Sequence, residues 1–210
     1  MRLMEIGLER LTKMVLDMAT LSEVTVNQAI EAYSNGTNVR DEVFARSEQL
    51  ERLQDDVNDL ATEMIARYQP VASDLRFITS AMEIGYGYSR LGRYAYDIAD
   101  VLSLYRDLTG CDKSEAELAG DNVAEMIQLS IKAFAERDIL QAGRLKAMDD
   151  VVDDLYRNYL KKVTQQVGGD MRCYISATLI LRYLERIADH AEDVGEAVVY
   201  TVTGKRVSKK

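Results

Sequence analysis

One proline and no tryptophan in 210 residues leave few places where this chain can be forced to turn. Sandwiches and barrels need many turns, whereas long helices tolerate such scarcity, so the chain reads as all-α. Two cysteines, Cys111 and Cys173, are too few for a disulfide framework or a thiolate metal site and point to reduced thiols in a cytoplasmic protein. One histidine, His190, argues against ferritin-like di-iron chemistry, which takes a Glu-x-x-His motif from each of two helices. It also leaves no Ser-His-Asp or Cys-His arrangement to assemble with assurance. No stretch approaches about 18 apolar residues without a charge, so nothing here spans a membrane. The opening MRLMEIGLERLTKM carries charges throughout and lacks the apolar core of a secretory signal. Basic residues are outnumbered, 26 to 35, for a net charge of −9. An acidic balance repels phosphate backbones and argues against a direct nucleic-acid binder. The basic tail, Lys205, Arg206, Lys209 and Lys210, is too short to reverse that and reads as a solvated terminus.

What the chain has in quantity is helical periodicity. Apolar residues recur at steps of three and four over long windows. Breaks at Asn35-Gly36, Gln69-Pro70, Thr109-Gly110, Arg137-Asp138 and Gly168-Gly169 divide it into six helices near 3–34, 39–68, 71–108, 114–136, 139–166 and 170–203. Pro70 suits the start of the third helix, where a backbone N–H has no partner to lose. The pattern occurs twice. A shift of 96 lays DLRFITSA at 74–81 on DMRCYISA at 170–177, and Ile84, Tyr88, Leu91, Ala95, Ile98 and Leu102 on Ile180, Leu184, Ile187, Ala191, Val194 and Val198. Upstream, a shift of 102 lays Leu50, Leu53 and Val57 on Val152, Leu155 and Tyr159. The reading is two tandem three-helix bundles, 1–110 and 111–210, the second ending in the tail at 204–210.

The last helix carries an acidic stripe beside its apolar one: Glu185, Asp189, Glu192, Asp193 and Glu196. Residues four apart share a helix face, so Glu185 points with Asp189 and Asp189 with Asp193. The fifth helix presents Asp149/Asp153 and Asp150/Asp154 at the same spacing. If the two helices lie antiparallel, these sets converge, and converging carboxylates repel unless protonated or joined by a cation. All-oxygen sites favour hard or borderline metals. An acidic face is equally what a surface helix presents to water. His190, beside Asp189, reads as an exposed or hydrogen-bonded surface residue. Arg76 and Arg172 each follow an Asp by two residues and read as internal salt bridges. Gly85, Gly87 and Gly92 in EIGYGYSRLG lie inside a helix with no preceding strand, so they are small residues for close helix approach or a kink, not a phosphate loop. Tyr88 belongs to the core, and Tyr86 and Tyr96 are candidates for a partner surface.

Three segments, RLKAMDDVVDDLY (144–156), LERIADHAEDVGEAV (184–198) and QPVASDLR (69–76), resemble the PhoU family, and the resemblance covers essentially the whole chain. It implies tandem three-helix repeats and a role in regulating phosphate uptake. That family's mark is an acidic residue, three others, then Asp, on two helices of each repeat, where characterised members bind metal clusters. Carried across, the motif falls on Asp149 and Asp153 and on Glu185 and Asp189, with Asp193 alongside. Repeat one departs from it: Ser47 and Glu51 stand where Asp149 and Asp153 do, and Ser89 and Arg93 where Glu185 and Asp189 do. A guanidinium stays protonated and cannot ligate a cation. Metal is therefore expected on repeat two alone, with Fe, Mn, Mg, Zn and Ca all open, and Arg93 is expected to stand in for the cation in repeat one.

By the same resemblance the chain is a non-enzymatic regulator whose partners are the ATPase subunit of a phosphate transporter and a sensor kinase. Long helices with spare apolar and aromatic residues often pair, so a homodimer is expected, and its place is the cytoplasm. Two other readings stand beside it. One is a metalloenzyme built on the carboxylates of repeat two, and the other is a metal-free helical adaptor serving a different transporter.

Overall fold

In the computed structural model, which describes residues 2–166 and 168–206, the chain forms six long helices. They are α1 (Arg2–Asn35), α2 (Arg40–Tyr68), α3 (Ala72–Tyr105), α4 (Ser114–Glu136), α5 (Ile139–Gln165) and α6 (Met171–Thr203). Among the described residues there is no strand. In each half the first two helices pack on each other and on the third, and α3 packs against α6 to join the halves, with α1 touching α4. Lys209 and Lys210 of the tail lie outside the described residues.

The ends of the helices show why the chain turns where it does. Asp138 accepts from the backbone N–H of Leu140 and Gln141 at 2.8 and 3.2 Å, and Asp170 accepts from Arg172 at 2.9 Å. These are N-caps that satisfy otherwise orphaned donors, each contributing about 1 kcal/mol. Arg137 (φ +54) and Gln69 (φ +47) close α4 and α2 in the left-handed conformation. Two sequence readings shift slightly here. Pro70 lies two residues before α3, which opens after Val71 in extended conformation (φ −128, ψ 161). The third helix stops at Tyr105 rather than near 108, since Arg106 leaves helical geometry (φ +54, ψ −97).

The third difference is larger. Cys111 and Cys173 are joined by a disulfide, with Cα atoms 5.3 Å apart across 62 residues of sequence, so the expectation of reduced thiols is corrected. The cause is topological. In an up-down-up unit the first and third helices start at the same end, which brings the loop before α4 against the first turn of α6. A lone staple needs only two cysteines.

The core runs without interruption through both halves. Tyr88, Leu91 and Ile98 of α3 and Leu181, Ile187 and Ala191 of α6 belong to one buried cluster with Leu11, Val15, Leu50, Met126 and Leu145. Tyr88 is fully buried, and its hydroxyl shares a 3.2 Å hydrogen bond with Ser130 of α4, crossing from one half to the other. The small residues mark close crossings. A Cβ on Gly92 would stand 2.3 Å from Leu50 Cδ1, and one on Gly195 would stand 2.7 Å from Leu145 Cδ1 and 3.0 Å from the Ala142 carbonyl. Gly85 packs on Val57 and Gly87 on Val194, so the glycines of α3 serve close helix approach. No helix among the described residues is long and apolar enough to cross a membrane.

Candidate metal centre

α5 and α6 run antiparallel. Gly195 meets Ala142 and Leu145 at one end, Lys146 meets Glu192 further along, and Arg182 lies over Tyr156. Asp149 and Asp153 consequently face the α6 stripe, while Asp150 and Asp154 point to solvent. A cavity of about 700 Å³ opens between the two helices, and Asp149, Asp153, Asp189, Glu192, Asp193 and Glu196 line it together with Lys146, Arg186 and His190. Glu185 lies a turn beyond and is itself buried.

Basic side chains stand beside most of these acids. Lys146 reaches Asp149, Asp150 and Glu192 at 3.5, 3.4 and 3.3 Å. Arg157 holds Asp153 at 2.6 Å, Arg182 holds Glu185 at 2.5 Å, and Arg186 stands 3.7 Å from Asp189. Asp193 lies 3.7 Å from His190 Nδ1. The basic residues were readable in the sequence, since Asp149, Glu185 and Asp189 follow Lys146, Arg182 and Arg186 by three and Arg157 follows Asp153 by four. Lys146–Glu192 was not, because it joins two helices.

The carboxylates nonetheless strain against one another. Burial, then Glu192, Asp189 and Asp153, push the Asp149 carboxyl up to about 7. Glu185 is raised by burial and by Asp189 and Asp153, against the pull of Arg182 and Arg186. Asp189 is raised by burial and by Asp153 and Asp193, against Arg186. Lys146 is itself raised, the acids around it outweighing its own desolvation. Asp149 Oδ1 and Glu185 Oε2 are buried with no hydrogen-bond partner. A buried carboxylate oxygen left in this way is costly unless it is protonated or met by a cation, and Arg186 Nε stands 3.8 Å from Glu185 Oε2. Among the described residues no three acidic, histidine or cysteine side chains are gathered tightly enough to grip an ion as they stand. The donors fit a hard metal in kind, but the arginines would have to release them first.

Repeat one shows the same place with other chemistry. Ser47, Glu51, Ser89 and Arg93 come together, as their repeat positions require, around a recess of about 100 Å³ that Arg90 and Tyr86 also line. Arg93 pairs with Asp97 at 3.2 Å and lies over the Tyr96 ring. Asp97 is the counterpart of Asp193, and in repeat one this acid is paired with a guanidinium on its own helix.

Other expected residues divide. His190 is not an exposed surface histidine. Its side chain is 16% exposed and sits between Tyr86 and Tyr94, with ring centroids at 5.9 and 5.8 Å, where α3 crosses α6. Arg172 pairs with Asp170 at 2.6 Å as expected. Arg76 lies against Gly204 at the end of α6 instead of forming the same pair. Tyr86 is exposed, whereas Tyr96 is partly covered by Phe44 and Arg40.

Comparison with known proteins places this arrangement. Curated relatives include the phosphate-specific transport system accessory protein PhoU homologs of Clostridium acetobutylicum, 29% identical over 98% of this chain and 97% of that protein, and of Pseudomonas aeruginosa, 30% identical over 95% and 85%. The crystal structure of PhoU from Pseudomonas aeruginosa superposes with a TM-score of 0.90 at 28% identity, covering 96% of this chain and 99% of that one. The phosphate transport system regulatory protein PhoU from Streptococcus pneumoniae shares the fold, with a TM-score of 0.88 at 20% identity over 98% and 100%. The PhoU domain model matches twice, at 15–102 and 117–198, once in each half of the pseudo-repeat, and the chain belongs to the PhoU family.

Proposed function

We propose that this chain is a non-enzymatic regulator of phosphate uptake that works by contact with other proteins. The observation that carries the reading is the double family match spanning both halves, together with relatives named as accessory proteins of phosphate-specific transport. Its first partner is the ATPase subunit of a phosphate transporter, and a sensor kinase is the second. ATP-hydrolysing subunits work where ATP is, so the regulator belongs in the cytoplasm. There the Cys111–Cys173 bond is exposed to cellular dithiols.

The reading includes a hard-metal cluster on repeat two alone, held by Asp149, Asp153, Glu185 and Asp189 with Asp193 beside them. Oxygen donors suit hard or borderline metals, and Fe, Mn, Mg, Zn and Ca all remain open. When bound, the metal would neutralise the stacked carboxylates and tie α5 to α6, adding its binding free energy to the folded state alone. The orphaned oxygens of Asp149 and Glu185 support this. The reading also includes a homodimer, supported by spare apolar surface at Leu3, Val71, Leu104 and Leu140, for which light scattering is the check.

Co-purification with the phosphate-transporter ATPase subunit of the source organism tests the regulator. Retention of that subunit by the wild-type chain supports it, and loss of retention in an Arg186→Glu variant would place the contact near repeat two. No retention of either the ATPase subunit or a sensor kinase would overturn it.

A further inference from the structure

A second cavity, of about 460 Å³, lies on the other side of His190 between α3 and the last turns of α6. Glu83, Tyr86, His190, Asp193, Glu196 and Tyr200 line it. Aromatic faces beside carboxylates are the surroundings that hold an organic cation, above all a guanidinium, which stacks on a ring and pairs with an acid at once. The chain itself supplies one. After Thr203 the backbone leaves α6 through the left-handed Gly204 (φ +72), whose N–H donates to the Tyr200 carbonyl at 2.8 Å. This reversal folds the tail back, so that the Arg206 guanidinium lies over the Tyr200 ring, 4.9 Å from its centroid, and stands 3.8 Å from Glu83.

We propose that this cavity is a docking site for an arginine- or lysine-bearing segment of a partner protein, and that Arg206 of the chain's own tail, at the cavity wall, engages Tyr200 and Glu83 as a placeholder. Three observations select that occupant. The walls combine tyrosine with carboxylate, a cation is already seated there, and the chain carries a net charge of −9, which steers basic partners toward it. The seated contact is built to be displaced. The Arg206 and Glu83 side chains are 72% and 54% exposed, and exposed ion pairs hold weakly. A partner offering several cations can therefore take the place of the tail. The site shares His190, Asp193 and Glu196 with the carboxylate cavity, so a segment bound here would touch the edge of the proposed metal centre. The inference does not depend on that centre, because it rests on Glu83, Tyr200 and Arg206.

Calorimetric titration of a synthetic peptide, GKRVSKK, into three full-length proteins tests it: wild type, Arg206→Ala, and Arg206→Ala combined with Glu83→Gln. Removing the placeholder should tighten binding roughly five- to tenfold over wild type, as expected for losing one exposed ion pair and one cation–π contact that compete. Adding Glu83→Gln should return the affinity to the wild-type level or below. A peptide with alanine in place of its arginine should bind less well to Arg206→Ala. Equal affinity for wild type and Arg206→Ala would overturn the proposal, as would binding indifferent to Glu83. A lowered melting temperature for Arg206→Ala with no gain in peptide affinity would also overturn it, by reducing Arg206 to a structural cap on α6. Glu83 and Arg206 lie outside the proposed metal ligands, so the comparison of these variants is read separately from the test of the proposed function.

Discussion

Lys146 and Glu192 meet at 3.3 Å across α5 and α6, at the place where repeat one sets Phe44 of α2 against Tyr96 of α3, ring centroids 5.1 Å apart. The repeat offsets make these pairs equivalent, since 44 and 146 differ by 102 and 96 and 192 by 96. One half closes this junction with an aromatic pair, the other with charge. The same division runs through the neighbouring positions, where Ser47, Ser89 and Arg93 answer Asp149, Glu185 and Asp189. The two halves share a scaffold and differ in chemistry.

The asymmetry can be reversed. A triple variant, Ser47→Asp, Ser89→Glu and Arg93→Asp, rebuilds the acidic motif around the existing Glu51. Metal bound per chain, measured by elemental analysis, should rise to about twice the wild-type value. An unchanged ratio would mean that the motif does not make the site.

Asp149 sets a pH dependence. Its carboxyl is raised from an ordinary 3.8 to about 7 by burial and by Glu192, Asp189 and Asp153. A raised folded value means that the protonated form is favoured by folding. Its stabilising contribution is complete below about pH 4 and is lost as pH rises through 7. In metal-free protein, Asp149→Asn should therefore be more stable than wild type at pH 8, by on the order of 1–2 kcal/mol, with the advantage gone at pH 4. Chemical denaturation at the two pH values reads this directly.

The disulfide is a removable staple. It closes a 62-residue span containing α4 and α5, and loop-closure entropy for that length is about 4 kcal/mol in the chain-entropy account. Calorimetry of wild type with and without a dithiol reductant, and of Cys111→Ser, should show a lower melting temperature in both perturbed forms. Equal melting temperatures, or two free thiols in protein purified without reductant, would contradict the bond.

The glycine crossings are equally exposed to test. Gly195→Ala would press a methyl group onto the Ala142 carbonyl and Leu145, a backbone contact that cannot swing away. A loss of about 1–3 kcal/mol is expected. Gly143→Ala, with open space around it, should cost nothing and gains helix propensity.

Much of this was legible beforehand because six long amphipathic helices write their period directly into the chain. Tyr88 fell in the core because it sits on the apolar stripe with Ile84 and Leu91. The acid pairs are legible because residues four apart share a face. What escaped was long-range. Cys111 and Cys173 become neighbours only when α4 and α6 start at one end of the bundle. His190 reads as a surface residue until α3 lays Tyr86 and Tyr94 on either side of it. The arginines were visible as neighbours in sequence, but their hold on Asp153 and Glu185 depends on which rotamers the packing leaves open.

The hard metal proposed for this chain belongs to repeat two, and to repeat two alone. Metal content per chain, measured on protein purified without chelator and compared with an Asp153→Ala/Glu185→Ala double variant of matched helical content, tests it most directly. Iron, manganese or another hard metal in the wild type and its loss in the variant is the predicted result. Equal metal in both proteins, or none in the wild type after reconstitution, would contradict the account and leave the acidic face of α5 and α6 as a solvated surface.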